Sequence, residues 1–180
     1  GRRGATGQAR AEMRAWPRAV QLGLALLGLL AFGAFAAPPS ILLAEVYRGN
    51  IDVTLYLVSE KLDGVRAIWN GKALRSRAGN MINAPAWFIA GLPSTELDGE
   101  LWMGRGQFEQ VSAAVRREQI NDEEWHQISY MVFELPEAPG TFAQRAERIS
   151  DLVQQSNVPW LQAIKQFSVK DHIALHRRMK

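Results

Sequence analysis

The stretch SEKLDGVRAIWNGKALRSRAG, residues 59–79, carries the clearest strand and turn signals in this chain. Within it, the runs VRAIW and KALRSR flank Asn70-Gly71. An Asn-Gly pair between two such runs is the strongest short-range signal for a β-hairpin, because both residues tolerate positive φ. A two-residue turn at this point places Arg66 directly opposite Arg75. The stretch therefore predicts two antiparallel strands that begin a few residues after Lys61.

One face of the predicted hairpin is cationic. Because side chains alternate along a strand, Arg66, Arg75 and Arg77 share a face. Like charges directly opposite each other destabilise a sheet. Either a β-bulge separates these arginines or the face binds an anion, and the spacing leaves both explanations open.

The remainder of the chain mixes strand and helix signals. Runs of β-branched and aromatic residues predict strands over 52–58, 95–103, 128–135 and 161–169. Apolar residues at helical spacing predict helices within 106–117, 141–155 and 170–180, and a short helix or turn over 84–92. The mostly apolar segment 128–135 is expected to be a central strand. Strands with helices between them define the α+β class.

The first 36 residues differ from the rest of the chain. Two arginines precede an apolar run that ends in Ala34-Phe35-Ala36. A basic start, an apolar middle and a small-residue end predict a secretory signal peptide, and hence a periplasmic protein. A transmembrane anchor, the alternative, needs about 20 apolar residues, and the shorter, glycine-rich run favours the signal peptide. Residues 1–12, before Met13, are interpreted as an upstream extension, and 37–180 as the mature part.

Composition excludes several kinds of site. The formal charge of the whole chain is +3, but the first 36 residues hold five arginines and one glutamate. The remaining 144 residues hold 16 basic and 17 acidic side chains, a charge of −1, which gives no support for a broad nucleic-acid-binding surface. The absence of cysteine excludes disulfides, thiolate nucleophiles and cysteine zinc sites. His172 and His176 lie four residues apart on a predicted helix, but without a third ligand they indicate an ordinary polar face.

Four motifs follow one another along the chain: KLDGVR (61–66), SRAG (76–79), LDGEL (97–101) and VFEL (132–135). In order and spacing they resemble the motifs of covalent nucleotidyltransferases, the superfamily of ATP-dependent DNA ligases and messenger-RNA capping enzymes. The longer stretches SEKLDGVRA, LDGELWMGRG and GTFAQR are most similar to small exported ATP-dependent DNA ligases of Gram-negative bacteria, over roughly residues 41–180. A GTP-dependent nuclear capping enzyme is at odds with a bacterial-type leader. A NAD-dependent ligase needs a further domain before the lysine, for which the 24 residues 37–60 are too few.

The resemblance implies an adenylation domain of antiparallel sheets with flanking helices, and a reaction that uses ATP and Mg²⁺. In this family a lysine amine attacks the α-phosphate of ATP. The lysyl-adenylate passes its AMP to the 5′-phosphate of a nick in double-stranded DNA, and the 3′-hydroxyl then displaces it. Lys61 of KLDGVR is the implied nucleophile. A free lysine has a pKa of about 10.4, so nearby positive charge, from Arg66 or a metal ion, is needed to favour the neutral amine.

The same motifs imply a set of nucleotide-contacting side chains: Ser59, Glu60, Arg66, Arg77, Glu100 and Phe133. The two arginines are expected to contact the ribose or phosphates, and the phenylalanine to stack on adenine. Glu100 is expected to hold a ribose hydroxyl or to assist in binding the metal. Ser59 stands where many relatives carry an adenine-contacting glutamate. A core role for Phe133 and a solvated position for Glu100 are the alternatives.

No segment after Phe133 resembles the later glutamate and lysine motifs or the oligonucleotide-binding-fold domain of the family. Residues 37–180 are therefore expected to form the N-terminal part of the adenylation domain, a monomer without a stable protein partner that does not seal nicks by itself. The resemblance implies a part in DNA replication, repair or recombination. The alternative is a non-catalytic remnant that binds nucleotide or DNA.

Overall fold

The computed structural model describes residues 46–179 of the chain. The predictions for the leader and its cleavage site lie outside these residues. The strands are β1 (Leu57–Val58), β2 (Val65–Trp69), β3 (Leu74–Ser76), β4 (Leu97–Trp102), β5 (Ser129–Glu134), β6 (Leu161–Ala163) and β7 (Phe167–Ser168). The helices are α1 (Ala86–Ala90), α2 (Phe108–Arg116), α3 (Asp122–Trp125), α4 (Phe142–Ser156) and α5 (His172–Arg178), and a 3-10 turn spans Val53–Leu55.

Five of the strands form one sheet in the order β3–β2–β4–β5–β6. Neighbours in this sheet are antiparallel except β5 and β6, which run parallel and are joined by α4. β1 and β7 form a separate antiparallel pair. Antiparallel sheets with helices between the strands confirm the predicted α+β class. The prediction of a central strand is also confirmed, because β5 has a neighbour on each side.

The hydrophobic core lies on one face of the five-stranded sheet. Side chains of β2, β4 and β5 are buried there with residues of α1, α2 and α4: Ala67, Trp69, Phe88, Leu97, Leu101, Val111, Tyr130, Val132 and Ile149. The hydroxyl of buried Tyr130 lies 2.9 Å from the Ala67 carbonyl oxygen and 3.0 Å from that of Leu97. Tyr130 therefore links β5 to both β2 and β4. Between residues 46 and 179, no helix combines the length and the apolar character needed to cross a bilayer.

Local sequence explains where two of the helices begin. Thr141 Oγ1 accepts the N–H of Gln144 at 3.3 Å, and Gln144 Oε1 accepts the N–H of Thr141 at 2.9 Å. This reciprocal capping box starts α4, which confirms the helix predicted from residue 141. At α3 the side chain of Asn121 accepts the N–H groups of Glu123 and Glu124. α3 was not predicted, because a four-residue helix is too short to show helical periodicity.

Two of the predicted strands are shorter than the sequence indicated. In the segment 52–58 only β1 is a strand, because Asp52 Oδ1 accepts the N–H of Thr54 and caps the 3-10 turn instead. The segment 161–169 contains two strands, β6 and β7, that belong to different sheets. The N–H of Ile164 still donates to the Val132 carbonyl oxygen at 2.9 Å, and the chain then leaves β5 to pair with β1.

The predicted hairpin is confirmed, but its predicted register is wrong by two residues. Ile68, not Arg66, lies opposite Arg75, so the loop holds the four residues 70–73. The side chain of Asn70 accepts two N–H groups within this loop, at 3.1 and 2.9 Å, and so closes a wider turn than the Asn-Gly signal indicates. A shift of two residues leaves Arg66 and Arg75 on the predicted face, whereas Arg77 lies in the turn after β3 and not on the strand. The expected opposition of two arginines does not occur.

Candidate active site

Lys61 is exposed and lies in an irregular segment, 59–63, that leads into β2. The end of this segment is fixed to β4, because the Gly64 N–H donates to Glu100 Oε1 at 3.0 Å. A Cβ atom at position 64 would collide with the Leu101 carbonyl oxygen and lie 2.9 Å from Glu100 Cγ. Glycine therefore permits the close approach that seats the Lys61 segment against β4.

Glu100 connects this segment to the rest of the site. It lies opposite Arg66 in the β2–β4 register and is half-buried on the face of the sheet that points away from the core. Burial raises the pKa of Glu100, and the Gly64 N–H and the positive charges of Arg66 and Lys61 offset part of this rise. The carboxyl group is thus close enough to Lys61 to interact with its charge. Glu100 is therefore not freely solvated, which was the alternative interpretation of this residue.

Arg66 is held in place by the carboxylate of Asp98, for which the sequence predicted no role at the site. Its Nε and Nη2 atoms donate to Asp98 Oδ1 at 3.0 Å and Oδ2 at 2.6 Å. The Asp98 side chain is 2% exposed and that of Arg66 19%. The Asp98 carboxylate raises the pKa of the Arg66 guanidinium. A two-bond pair of this kind fixes the plane of the guanidinium as well as its position.

Phe133 lies at a β-bulge on the same face as Arg66. Asp98 pairs with Glu134, but the next residue of β4, Gly99, pairs with Val132, so Phe133 is an extra residue in β5. Bulges change the direction of a side chain and are frequent next to active sites. The guanidinium carbon of Arg66 lies 5.3 Å from the centre of the Phe133 ring. Phe133 is half-buried and outside the buried core cluster, which argues against a simple core role.

The structure brings four of the predicted site residues to one place: Lys61, Arg66, Glu100 and Phe133. Glu60 is exposed, and its Oε1 accepts a hydrogen bond from Arg105 Nε at 2.7 Å. Ser59 and Arg77 are exposed as well, the latter in the turn after β3. The roles assigned to all six nucleotide-contacting residues, and to Lys61, stay predictions. Asp98 could have been found from the sequence, because it alternates with Glu100 along a predicted strand.

The remaining candidate ligands do not form a metal site in the described residues. His172 and His176 lie on α5, as predicted, and His172 Nδ1 is 2.6 Å from the Tyr47 hydroxyl. In residues 46–179 there is no group of three or more histidine, aspartate and glutamate side chains arranged to hold a metal ion.

The chain is similar in sequence and fold to several DNA ligases. No protein-family model matches the chain. A DNA ligase of Haemophilus influenzae is 32% identical over 141 residues, which are 78% of this chain and 52% of that protein. A structure from a structure–function analysis of Lig E DNA ligases is 38% identical, with a TM-score of 0.68 over 72% of this chain and 51% of the other. The Chlorella virus DNA ligase–adenylate has the same fold, with 17% identity and a TM-score of 0.55 over 68% and 47% of the two chains.

These similarities define the class of fold: the described residues have the fold of the nucleotidyltransferase domain of DNA ligases. The chain spans about half the length of the relatives that it matches. Over that half, the chain is similar to DNA ligases in both sequence and fold.

Proposed function

We propose that this chain supplies the nucleotide-binding part of an ATP-dependent DNA ligase and carries AMP on Lys61. The observation that supports this most directly is the hydrogen bond from the Gly64 N–H to Glu100 Oε1. It seats the Lys61 segment beside a half-buried carboxylate, on the face of the sheet that also carries Arg66 and Phe133. A cation, a carboxylate and an aromatic ring next to a lysine suit a nucleotide whose phosphate is attacked by an amine.

In the proposed first step, the neutral Nζ of Lys61 attacks the α-phosphorus of ATP. A P–N bond forms, the bond to the oxygen that bridges the α- and β-phosphates breaks, pyrophosphate leaves, and Nζ loses one proton to solvent. Arg66 is oriented by Asp98 for contact with the ribose or a phosphate, and the Phe133 ring offers a surface on which adenine can stack. Because these groups are fixed before the nucleotide arrives, little reorganisation is needed in the transition state.

We propose Mg²⁺ as the metal of this reaction, with Glu100 as its protein ligand. Mg²⁺ is commonly bound by one or two carboxylates together with substrate phosphates and water, rather than by a cage of protein ligands. A single half-buried carboxylate fits that donor set, and Oε2 of Glu100 remains for the metal while Oε1 accepts the Gly64 N–H. When bound, the metal supplies positive charge at the phosphates.

The later steps extend the proposal to DNA. The AMP would pass from Lys61 to the 5′-phosphate of a nick in duplex DNA, and the 3′-hydroxyl would displace it. The charge of −1 on residues 37–180 supports only weak DNA binding by this part, since affinity for DNA depends largely on cation–phosphate contacts. The relatives that match are named as DNA ligases, which supports DNA as the substrate.

We also propose that the protein is exported to the periplasm. The support is the basic, apolar and small-residue pattern that ends at Ala34-Phe35-Ala36. N-terminal sequencing of the protein recovered from the periplasm of an expressing bacterium would show a start at residue 37. Recovery of the intact leader in the membrane fraction would contradict the proposal.

The function is tested by mixing the chain with ATP labelled at the α-phosphate and Mg²⁺, followed by digestion and mapping of the label. The label is expected on Lys61, and both Lys61→Ala and Lys61→Arg should remain unlabelled, since arginine stays protonated. Lys72→Ala is the matched control, because Lys72 is an exposed lysine in the neighbouring hairpin loop. A label on another residue, or one that persists in Lys61→Ala, would refute the proposal. Nucleotide binding without any adduct would support the non-catalytic alternative.

A further inference from the structure

The irregular segment 59–63 is held at both ends: one end contacts β4, and the other contacts the turn that follows β4. At its C-terminal end the Gly64 N–H donates to Glu100 Oε1. At its N-terminal end Glu60 Oε1 accepts a hydrogen bond from Arg105 Nε at 2.7 Å. Lys61 lies between these two contacts. Since the segment has no strand or helix of its own, the contacts on either side determine where the lysine is held.

Arg105 is presented by a turn whose shape depends on its neighbours. Gly104 and Gly106 flank it, with φ of 114° and 71°, values that residues with a side chain seldom adopt. Steric crowding does not require glycine at either position. A Cβ at position 104 would lie 3.8 Å from Gln107 Cγ, and a Cβ at position 106 would have no atom within 4 Å. The two glycines therefore set the backbone direction that brings Arg105 to Glu60.

We infer that Arg105 is a positioning residue for Lys61, acting through Glu60. This inference rests on the proposed function, because it concerns the same lysine. The pair is exposed, with 80% of the Arg105 side chain and 48% of the Glu60 side chain accessible. Exposed pairs are weak, so the pair contributes to alignment rather than to stability. Displacement of a reacting group by about 1 Å is enough to lower a rate.

The inference is tested by measuring the single-turnover rate of Lys61 adenylation over a range of ATP concentrations. Arg105→Gln is expected to lower the maximal rate about fivefold, the effect of losing one exposed pair. The ATP concentration at half-maximal rate and the melting temperature should not change. Arg117→Gln is the matched control: it removes another exposed arginine–glutamate pair, with Glu124, and should leave the rate unchanged.

A conservative replacement and the ATP dependence separate positioning from direct contact with the nucleotide. Arg105→Lys keeps a positive charge that can pair with Glu60, and most of the lost rate should return. If Arg105 instead binds a phosphate of the nucleotide, the half-maximal ATP concentration will rise in Arg105→Gln, which overturns the inference. An unchanged rate in Arg105→Gln also overturns it. Failure of the parent chain to form an adduct is a separate result, which refutes the proposed function and the inference with it.

Discussion

Replacing Asp98 by asparagine should measurably destabilise the fold. Asp98 is 2% exposed and holds the 19% exposed Arg66 through two hydrogen bonds of 3.0 and 2.6 Å. Removing one partner of a buried ion pair costs about 3–5 kcal/mol, because the other charge stays buried without compensation. Asparagine keeps one oxygen that accepts from Arg66, and water reaches part of the guanidinium. We therefore expect a loss of about 2–3 kcal/mol, below that range.

Urea unfolding followed by tryptophan fluorescence measures this loss. The midpoint should fall with little change in the slope of free energy against urea concentration, because the surface exposed on unfolding stays the same. Glu124→Gln is the matched control, since Arg117 donates to Glu124 through the same two nitrogens at 2.8 Å each but with side chains 50% and 27% exposed. The control should lose no more than about 0.5 kcal/mol. Equal losses in the two variants would show that burial does not decide the strength of the Arg66–Asp98 pair.

Three further changes test other contacts of the site and core. Gly64→Ala should abolish adduct formation and destabilise the protein by about 1–3 kcal/mol, because the new methyl group overpacks the contact with β4; normal labelling would contradict this. The pKa of Glu100 is raised by burial, so its contribution to stability is most favourable at low pH and is lost as pH rises through the folded-state pKa. The urea midpoint of Glu100→Gln, relative to that of the parent, should therefore be higher at pH 7 than at pH 4. A difference between the two midpoints that is the same at both pH values, or larger at pH 4, would contradict this prediction. Tyr130→Phe should lower the free energy of unfolding by about 1–2 kcal/mol, since it removes a hydroxyl that contacts two buried carbonyls; an unchanged midpoint would show that the hydroxyl contributes nothing.

The sequence predicted the elements whose signals are local. The strand β5, the helix α4 and the hairpin all follow from apolar periodicity and turn residues within a few positions of each other. The register of the hairpin could not be predicted from the sequence, because Asn70 is compatible with both a two-residue and a four-residue loop. It tolerates the positive φ of a two-residue loop, and its side chain can also accept N–H groups of a four-residue loop.

Only the site residues that lie within the four sequence motifs could be predicted. Lys61 and Glu100 were identified by resemblance, and the structure brings them together. The partner of Arg66 and the bulge at Phe133 were not predicted, because both depend on how β2, β4 and β5 pair across the sheet. The contact between Glu60 and Arg105 joins residues 45 positions apart, and no local pattern reports such a contact.

The parallel pair β5–β6 has a consequence for the order in which backbone amides become accessible to solvent. β6 is a three-residue strand at the edge of the sheet, and of its three residues only Leu161 is buried. Short edge elements with few buried contacts open at lower free energy than the rest of a fold. Amides of β6 should therefore exchange with deuterium before those of β2 and β4, which lie inside the sheet. Because Arg66, Asp98 and Glu100 are all on those inner strands, the charged part of the site should persist while the β6 edge is open.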